Sequence, residues 1–230
     1  MHSCLISLAL REGKKTTISI SRITQTQCDI VLSDLGLVRR LYPVDISPTI
    51  KHVRPFDWSD KKEDAHAGEY MAWIKQNVTI PSYSLCYNAP QNSNLLSKTT
   101  ISQQYNFNGT LDIAIVYKEY AESGYVAGGI FVGIKVKKKV ESRHDNQAIL
   151  EMLLVNVASQ YPVIVLLTDL RDAWRFKQFD LAHGIAFIDY IAGSPTSGSP
   201  TTDVPAIYAR DHLLARSWPG SVQPSSCNFR

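Results

Sequence analysis

The sequence predicts an α/β fold, a central mixed β-sheet flanked by helices. Three observations carry that prediction. Residues 111–117 alternate, with Leu111, Ile113, Ile115 and Tyr117 on one side and Asp112, Ala114 and Val116 on the other, the period of two of a strand. Residues 129–140 alternate again, with Ile130, Val132, Ile134 and Val136 on one face and Phe131, Gly133, Lys135, Lys137 and Lys139 on the other. Leu150, Leu153, Leu154 and Val157 then stand at helical spacing within 142–159, just before a continuous apolar run over 162–168. Such a run suits a strand covered on both faces.

The block over 109–180 therefore reads strand, turn, strand, helix, strand, turn, strand. Glu122-Ser123-Gly124 marks the first turn, and the short connection favours antiparallel neighbours. Ser142-Arg143-His144-Asp145 is a capping-type start for the helix. Gln147 and Glu151 stand four apart and so share another of its faces. Residues 169–172 turn the chain, and 173–179 return as a last strand, with Trp174 as core and Arg175 as a candidate phosphate contact.

Upstream, 4–10 and 16–23 read as two strands of a hairpin, with a third element over 30–38. Pro43, Pro48 and Pro55 make 41–58 an extended connector. Asp60 and Glu63 frame a capping-box-like helix start, followed by Tyr70, Met71, Ile74 and Val78 on one stripe. Glu63 and Glu69 are candidate acidic residues on that helix, or an exposed helix face. Trp73 reads as packing. Residues 81–100 are turn-rich, and a strand falls within 99–105. Tyr83, Tyr87 and Tyr105 are either base-stacking or rim residues. At the other end, 193–200 is a loop by composition, 203–216 a short helix, and 219–230 a tail. The expected domains are 1–58, an accessory β-rich segment; 59–192, the core; and 193–230, loop, helix and tail.

Length and composition narrow the class. A chain of 230 residues, 44% hydrophobic and 20% charged, can bury a full core. A net charge of +3 does not by itself announce nucleic acid; the cluster Lys135, Lys137, Lys138 and Lys139 says more. The four cysteines, Cys4, Cys28, Cys86 and Cys227, form no C-x-x-C pair, so no zinc signature exists and reduced thiols in an intracellular setting are expected. No apolar run is long enough for a membrane helix, and residues 4–10 lack the basic flank of a signal peptide. Asn77-Val78-Thr79 and Asn108-Gly109-Thr110 are glycosylation sequons by pattern alone. There is no Walker, G-x-S-x-G or H-E-x-x-H motif.

The stretches GTLDIAIVY, GGIFVGIKVKKK, NQAILEM, YPVIVLLTDL and AWRF, in that order, resemble the core of PD-(D/E)xK nucleases, the restriction-endonuclease-like superfamily. The nearer resemblance is to nuclease-like C-terminal domains of Crinkler-type effectors. It implies a restriction-endonuclease-like core and a hydrolase cutting phosphodiesters with Mg²⁺ or Mn²⁺. Such an ion polarises the phosphoryl oxygen and takes hard carboxylate ligands. Carried over residue by residue, Asp112 matches the strand Asp and Lys137 the motif Lys. The acidic position between them is Lys135, which removes a ligand and repels a metal by roughly 4 kcal/mol per unit charge at ~4 Å and an effective dielectric of ~20. Glu151, fourteen positions after Lys137, resembles the helix carboxylate that some restriction enzymes use instead; otherwise it is a solvated helix residue.

The expected catalytic residues are thus Asp112, Lys137, Glu151 and Gln147, and the expected metal ligands Asp112 and Glu151. Lys135, Lys138, Lys139, Arg143 and Arg175 are the expected nucleic-acid contacts, and His144 a candidate proton carrier. The expected partner is nucleic acid, DNA before RNA, or a host protein, within the host nucleus or cytoplasm and away from membranes. A metal-dependent nuclease, a degenerate nuclease fold that only binds, and a purely structural domain remain the three readings.

Overall fold

The computed structural model describes residues 16–44, 55–89, 96–101, 105–180 and 185–192. In chain order the elements are β1 (Thr16–Ser19), α1 (Gln25–Asp34), β2 (Arg39–Val44), α2 (Ala67–Asn77), β3 (Ser84–Asn88), β4 (Leu96–Thr100), β5 (Tyr105–Gly109), β6 (Ile113–Tyr117), α3 (Lys118–Glu122), β7 (Ile130–Val136), α4 (Ser142–Ala158), β8 (Ile164–Thr168), β9 (Trp174–Asp180) and β10 (Ile185–Ala192). The fold is mixed α/β, as the alternating and helical runs require.

The large sheet has the order β2-β10-β9-β8-β7-β6-β3. β6 and β7 are antiparallel neighbours, with Ile113 opposite Ile134. β7 and β8 are parallel, and α4 is the crossover between them. β1, β5 and β4 form a second, smaller sheet. Pro43 sits in β2, at the edge of the large sheet, where a missing N–H breaks no interior ladder.

The sheet separates two cores. On one face, Ala114, Val116, Ile130, Val165 and Leu167 pack with Ile149, Leu150, Leu153 and Leu154 of α4 and with Val31 and Leu32 of α1. On the other, Ile113, Ile115, Ile134 and Val136 pack with Tyr70, Met71 and Ile74 of α2. Each such aliphatic side chain contributes about 1.5–3 kcal/mol when fully buried. The α4 stripe is wider than its sequence suggested, because every residue from Asp145 to Val155 is buried. Gly133 lets the α4 face close: a Cβ there would lie 2.9 Å from both methyls of Leu111 and 3.2 Å from Val165.

Several boundaries moved. Thr16–Ser19 pairs in parallel with β5, and 4–10, the expected hairpin partner, lies outside the described residues. The segment 30–38 is mostly the end of α1, capped by Thr24 and Gln27 reciprocally. The extended connector over 41–58 is in part strand β2. The turn at 122–124 is preceded by the short helix α3, and Gly124 at φ +77° ends it. The helix cap is Glu141, whose N–H donates to His144 Nδ1 at 3.0 Å, rather than Ser142. The regions 193–200, 203–216 and 219–230 lie outside the described residues, as do Cys4 and Cys227; Cys28 and Cys86 are free thiols. No described helix is long and apolar enough to cross a membrane.

Candidate functional site

Register builds the site. With Ile113 opposite Ile134, the residue before β6, Asp112, falls opposite Lys135 of β7. The Asp112 N–H donates to the Ile134 carbonyl at 3.1 Å, and Val136 N–H donates to Asp112 Oδ2 at 2.7 Å. A carboxylate oxygen thus takes over the ladder where the backbone of β6 ends. Lys135 then extends toward α4. Its Nζ donates to the Thr110 carbonyl at 3.0 Å and to Asp112 Oδ1 at 3.1 Å, and lies 3.4 Å from Glu151 Oε1.

Glu151 comes from the middle of α4 and is fully buried. Gln147, one turn earlier, donates Nε2–H to Glu151 Oε1 at 3.0 Å. Glu151 Oε2 has no hydrogen-bond partner among the described residues. Of the sequence-predicted set Asp112, Lys137, Glu151 and Gln147, the structure brings Asp112, Glu151 and Gln147 together around Lys135 and leaves Lys137 outside.

Electrostatics follow from burial. Burial pushes the Glu151 carboxyl up to about 7; the Lys135 ammonium opposes this and the Asp112 charge adds to it. For Lys135 burial works against the charge, but Glu151 and then Asp112 outweigh it, so its pKa ends above the ordinary lysine value. The lysine is a permanent cation, set between two carboxylates.

That position bears on a divalent ion. Mg²⁺ or Mn²⁺ would need the oxygens that Lys135 already occupies. Among the described residues no three His, Cys, Asp or Glu side chains are grouped as a metal requires. As the side chains stand, the donor set does not fit a divalent ion.

Lys137 goes elsewhere. It lies one residue beyond β7, and its Nζ meets Glu63 Oε1 at 2.6 Å. Glu63 Oε2 accepts the Lys138 N–H at 3.0 Å, and Lys138 Nζ donates to the Ser59 carbonyl at 2.6 Å. The loop before α2 is thereby clasped to the end of β7. The expectation that Lys135 and Lys137 point the same way is corrected: the alternation stops with the strand at Val136. Lys135, buried and engaged, presents no charge to a phosphate in this arrangement.

The remaining expected contacts divide. Lys138, Lys139 and Arg143 are exposed, Arg143 beside Glu141 Oε2 at 3.0 Å. Arg175 is bound instead to Asp145, which Lys177 also contacts at 2.8 Å from a fully buried position. That second buried ion cluster had one sequence signal, a lysine inside an apolar strand opposite an acidic first helical turn. His144 is a cap residue, its pKa lowered by burial and then by Lys137 and Arg143, so it stays neutral at pH 7. Trp174 is core, as expected. Tyr83 is exposed and stacks on Tyr117 with centroids 5.5 Å apart.

Compared with known proteins, the chain matches no family model and no solved structure. It is similar to Crinkler effector protein 4 of Phytophthora capsici, at 22% identity over 175 residues, and to Crinkler effector protein 63 of Phytophthora sojae, at 25% over 184. Crinkler effector protein 2 of Phytophthora infestans is 26% identical over 179 residues. Each similarity covers 71% of this chain but only 41%, 40% and 38% of the respective relative, so the chain spans about two fifths of the length of these relatives. The resemblance to Crinkler effectors thus has support beyond the motif stretches.

Proposed function

We propose that this chain is an effector domain that binds nucleic acid, DNA before RNA, on a restriction-endonuclease-like sheet whose metal position is filled by its own lysine. One observation carries the reading: Lys135 Nζ lies within 3.4 Å of Thr110 O, Asp112 Oδ1 and Glu151 Oε1, where a PD-(D/E)xK enzyme would hold its ion. Lys138, Lys139 and Arg143 at the adjoining surface supply charge for phosphates, and exposed Lys61 and Lys62 lie on the loop clasped to them. The relatives are named effectors, which supports action inside a host cell, in nucleus or cytoplasm.

The test is paired. Calorimetry with Mn²⁺ should show negligible binding by the wild type and measurable binding by Lys135→Glu, since that change removes a repulsion and adds a ligand. Plasmid incubated with Mg²⁺ or Mn²⁺ should stay intact with the wild type. Cutting by the wild type that is lost in Asp112→Ala would establish the second reading, a working metal-dependent nuclease. That reading has one observation in its favour, the buried Glu151 Oε2 beside Asp112, without a hydrogen-bond partner among the described residues. A failure to bind duplex at ~50 mM salt would remove nucleic acid as the partner and leave a host protein.

A further inference from the structure

Away from the buried lysine, three side chains around the start of α2 form a second constellation. Ser59 Oγ lies 3.1 Å from His66 Nε2, and His66 Nδ1 lies 2.7 Å from Glu69 Oε2. His66 is fully buried, walled by edge-on contacts with Phe56 and Trp58, while Ser59 is exposed. Local structure explains the alignment. A 3-10 turn over Glu63–His66 runs straight into α2, which puts Glu69 one helical turn beyond His66. The histidine therefore faces the loop with one nitrogen and the helix with the other.

The order of contacts fixes roles. A carboxylate accepts the Nδ1–H, so that tautomer leaves Nε2 as an acceptor for the Ser59 hydroxyl. The hydrogen bond to His66 is the leading reason the Glu69 carboxyl lies below its ordinary pKa, so it is ionised at neutral pH. Nucleophile, base and orienting carboxylate are the parts of a serine triad, which is recognised by geometry and roles rather than by sequence position. Two further donors meet Ser59, a backbone amide at its hydroxyl and an ammonium at its carbonyl. The Lys61 N–H points at Ser59 Oγ from 3.4 Å, and the Lys138 ammonium sits 2.6 Å from the carbonyl of the same serine.

We propose that Ser59, His66 and Glu69 form an acyl-transfer site that takes small activated carboxylic esters. Ser59 Oγ attacks the ester carbonyl while its proton passes to His66 Nε2. The C–O bond to the alcohol breaks, and the departing alkoxide takes that proton from His66. An acyl-serine and a free alcohol result. Water, deprotonated by His66, then attacks the acyl-serine, releasing the carboxylic acid and returning the proton to Ser59. The open position of Ser59 on a loop suits a small ester rather than a buried long acyl chain. The site goes beyond nucleic-acid binding and does not depend on it.

The experiment uses the full chain with a fluorophosphonate probe and with p-nitrophenyl acetate. The wild type should label at Ser59, located by mass spectrometry of the labelled peptide, and should release p-nitrophenol above the buffer rate. Ser59→Ala should abolish both. Glu69→Gln, at an exposed position, should lower kcat about 10²–10⁴-fold with KM little changed. His66→Gln, its fold checked by circular dichroism, should lose both labelling and turnover. Absence of labelling in the wild type, or labelling and turnover unchanged in Ser59→Ala, overturns the proposal. Turnover unchanged in Glu69→Gln also overturns it, because the contacts would then be only a loop tether.

Discussion

Lys135 and Lys137 stand two residues apart and meet opposite fates. Lys135 is inside β7, so the pleat sends it toward α4, where Asp112 and Glu151 enclose it. Lys137 is just outside β7, and its ammonium finds Glu63 on the loop before α2. One lysine has become an internal counter-ion; the other ties two surface segments together. The difference teaches that strand ends, not residue spacing, decide which of two like residues serves the interior.

The largest way to break the comparison is to remove the buried cation. Lys135→Met should destabilise the fold by about 3–5 kcal/mol, because Asp112 and Glu151 lose the charge that compensates them. Urea unfolding at pH 7 measures it. The penalty should shrink at pH 5, where Glu151 sheds its charge by taking a proton. A loss below about 1 kcal/mol at pH 7 would mean the pair contributes little.

Next is the pH response of Glu151. Its folded pKa of about 7 lies above its unfolded value of 4.5, so the folded state binds more protons between those values. Stability from this group is full below 4.5 and is lost as pH rises through 7. The shift corresponds to a loss on the order of 3 kcal/mol. Glu151→Gln should flatten that fall and leave the variant more stable than the wild type at pH 8. Thermal melts from pH 4 to 8 decide it; parallel curves for the two proteins would show that Glu151 titrates normally.

Smaller effects belong to the surface. Lys139→Ala with Arg143→Ala should leave the melting temperature within a degree or two and weaken duplex binding. Each lost phosphate contact should reduce the slope of log affinity against log salt by about 0.9. Lys135→Met, if folded, should not alter that slope, since its ammonium faces inward. An equal change in both variants would erase the distinction between the inner and outer lysines.

The elements around the site were legible because their patterns were local. Ile113, Ile115, Ile134 and the run 162–168 announced strands, and 142–159 announced the helix that became Ser142–Ala158. The pairing of Asp112 with Lys135 was within reach, since it follows from antiparallel neighbours once the register is known. What was not legible came from contacts distant in sequence. Nothing in the spacing tells that Glu63 meets Lys137, seventy-four residues on, or that Lys177 reaches Asp145. The end of β7 at Val136 is hidden too, because Lys137 and Lys139 continue the alternation in the sequence beyond the last strand residue. The strand Ile185–Ala192 went unread because no turn or motif drew attention to it. The pairing of Ser59 with His66 is hidden for a different reason: each is ordinary alone, and a spacing of seven positions fits no motif.

The smallest expected effect tests the outer lysine. Glu63→Gln keeps the length of the side chain and can still accept from the Lys138 N–H, but it removes the charge facing Lys137. Lys137 and Glu63 are both partly open to water, with 16% and 30% of their side chains exposed, so solvent screens the pair. A loss of about 1 kcal/mol or less follows, less at high salt. Freed of its carboxylate, the Lys137 ammonium becomes available at the same surface as Lys138 and Lys139. Duplex binding by Glu63→Gln should therefore tighten modestly and show a steeper salt slope, while Lys137→Gln alone should change neither measurably. Tightening that persists in the double variant Glu63→Gln with Lys137→Gln would point away from Lys137 and to the loss of negative charge in general. The clasp would then hold the loop without reserving a cation for the ligand.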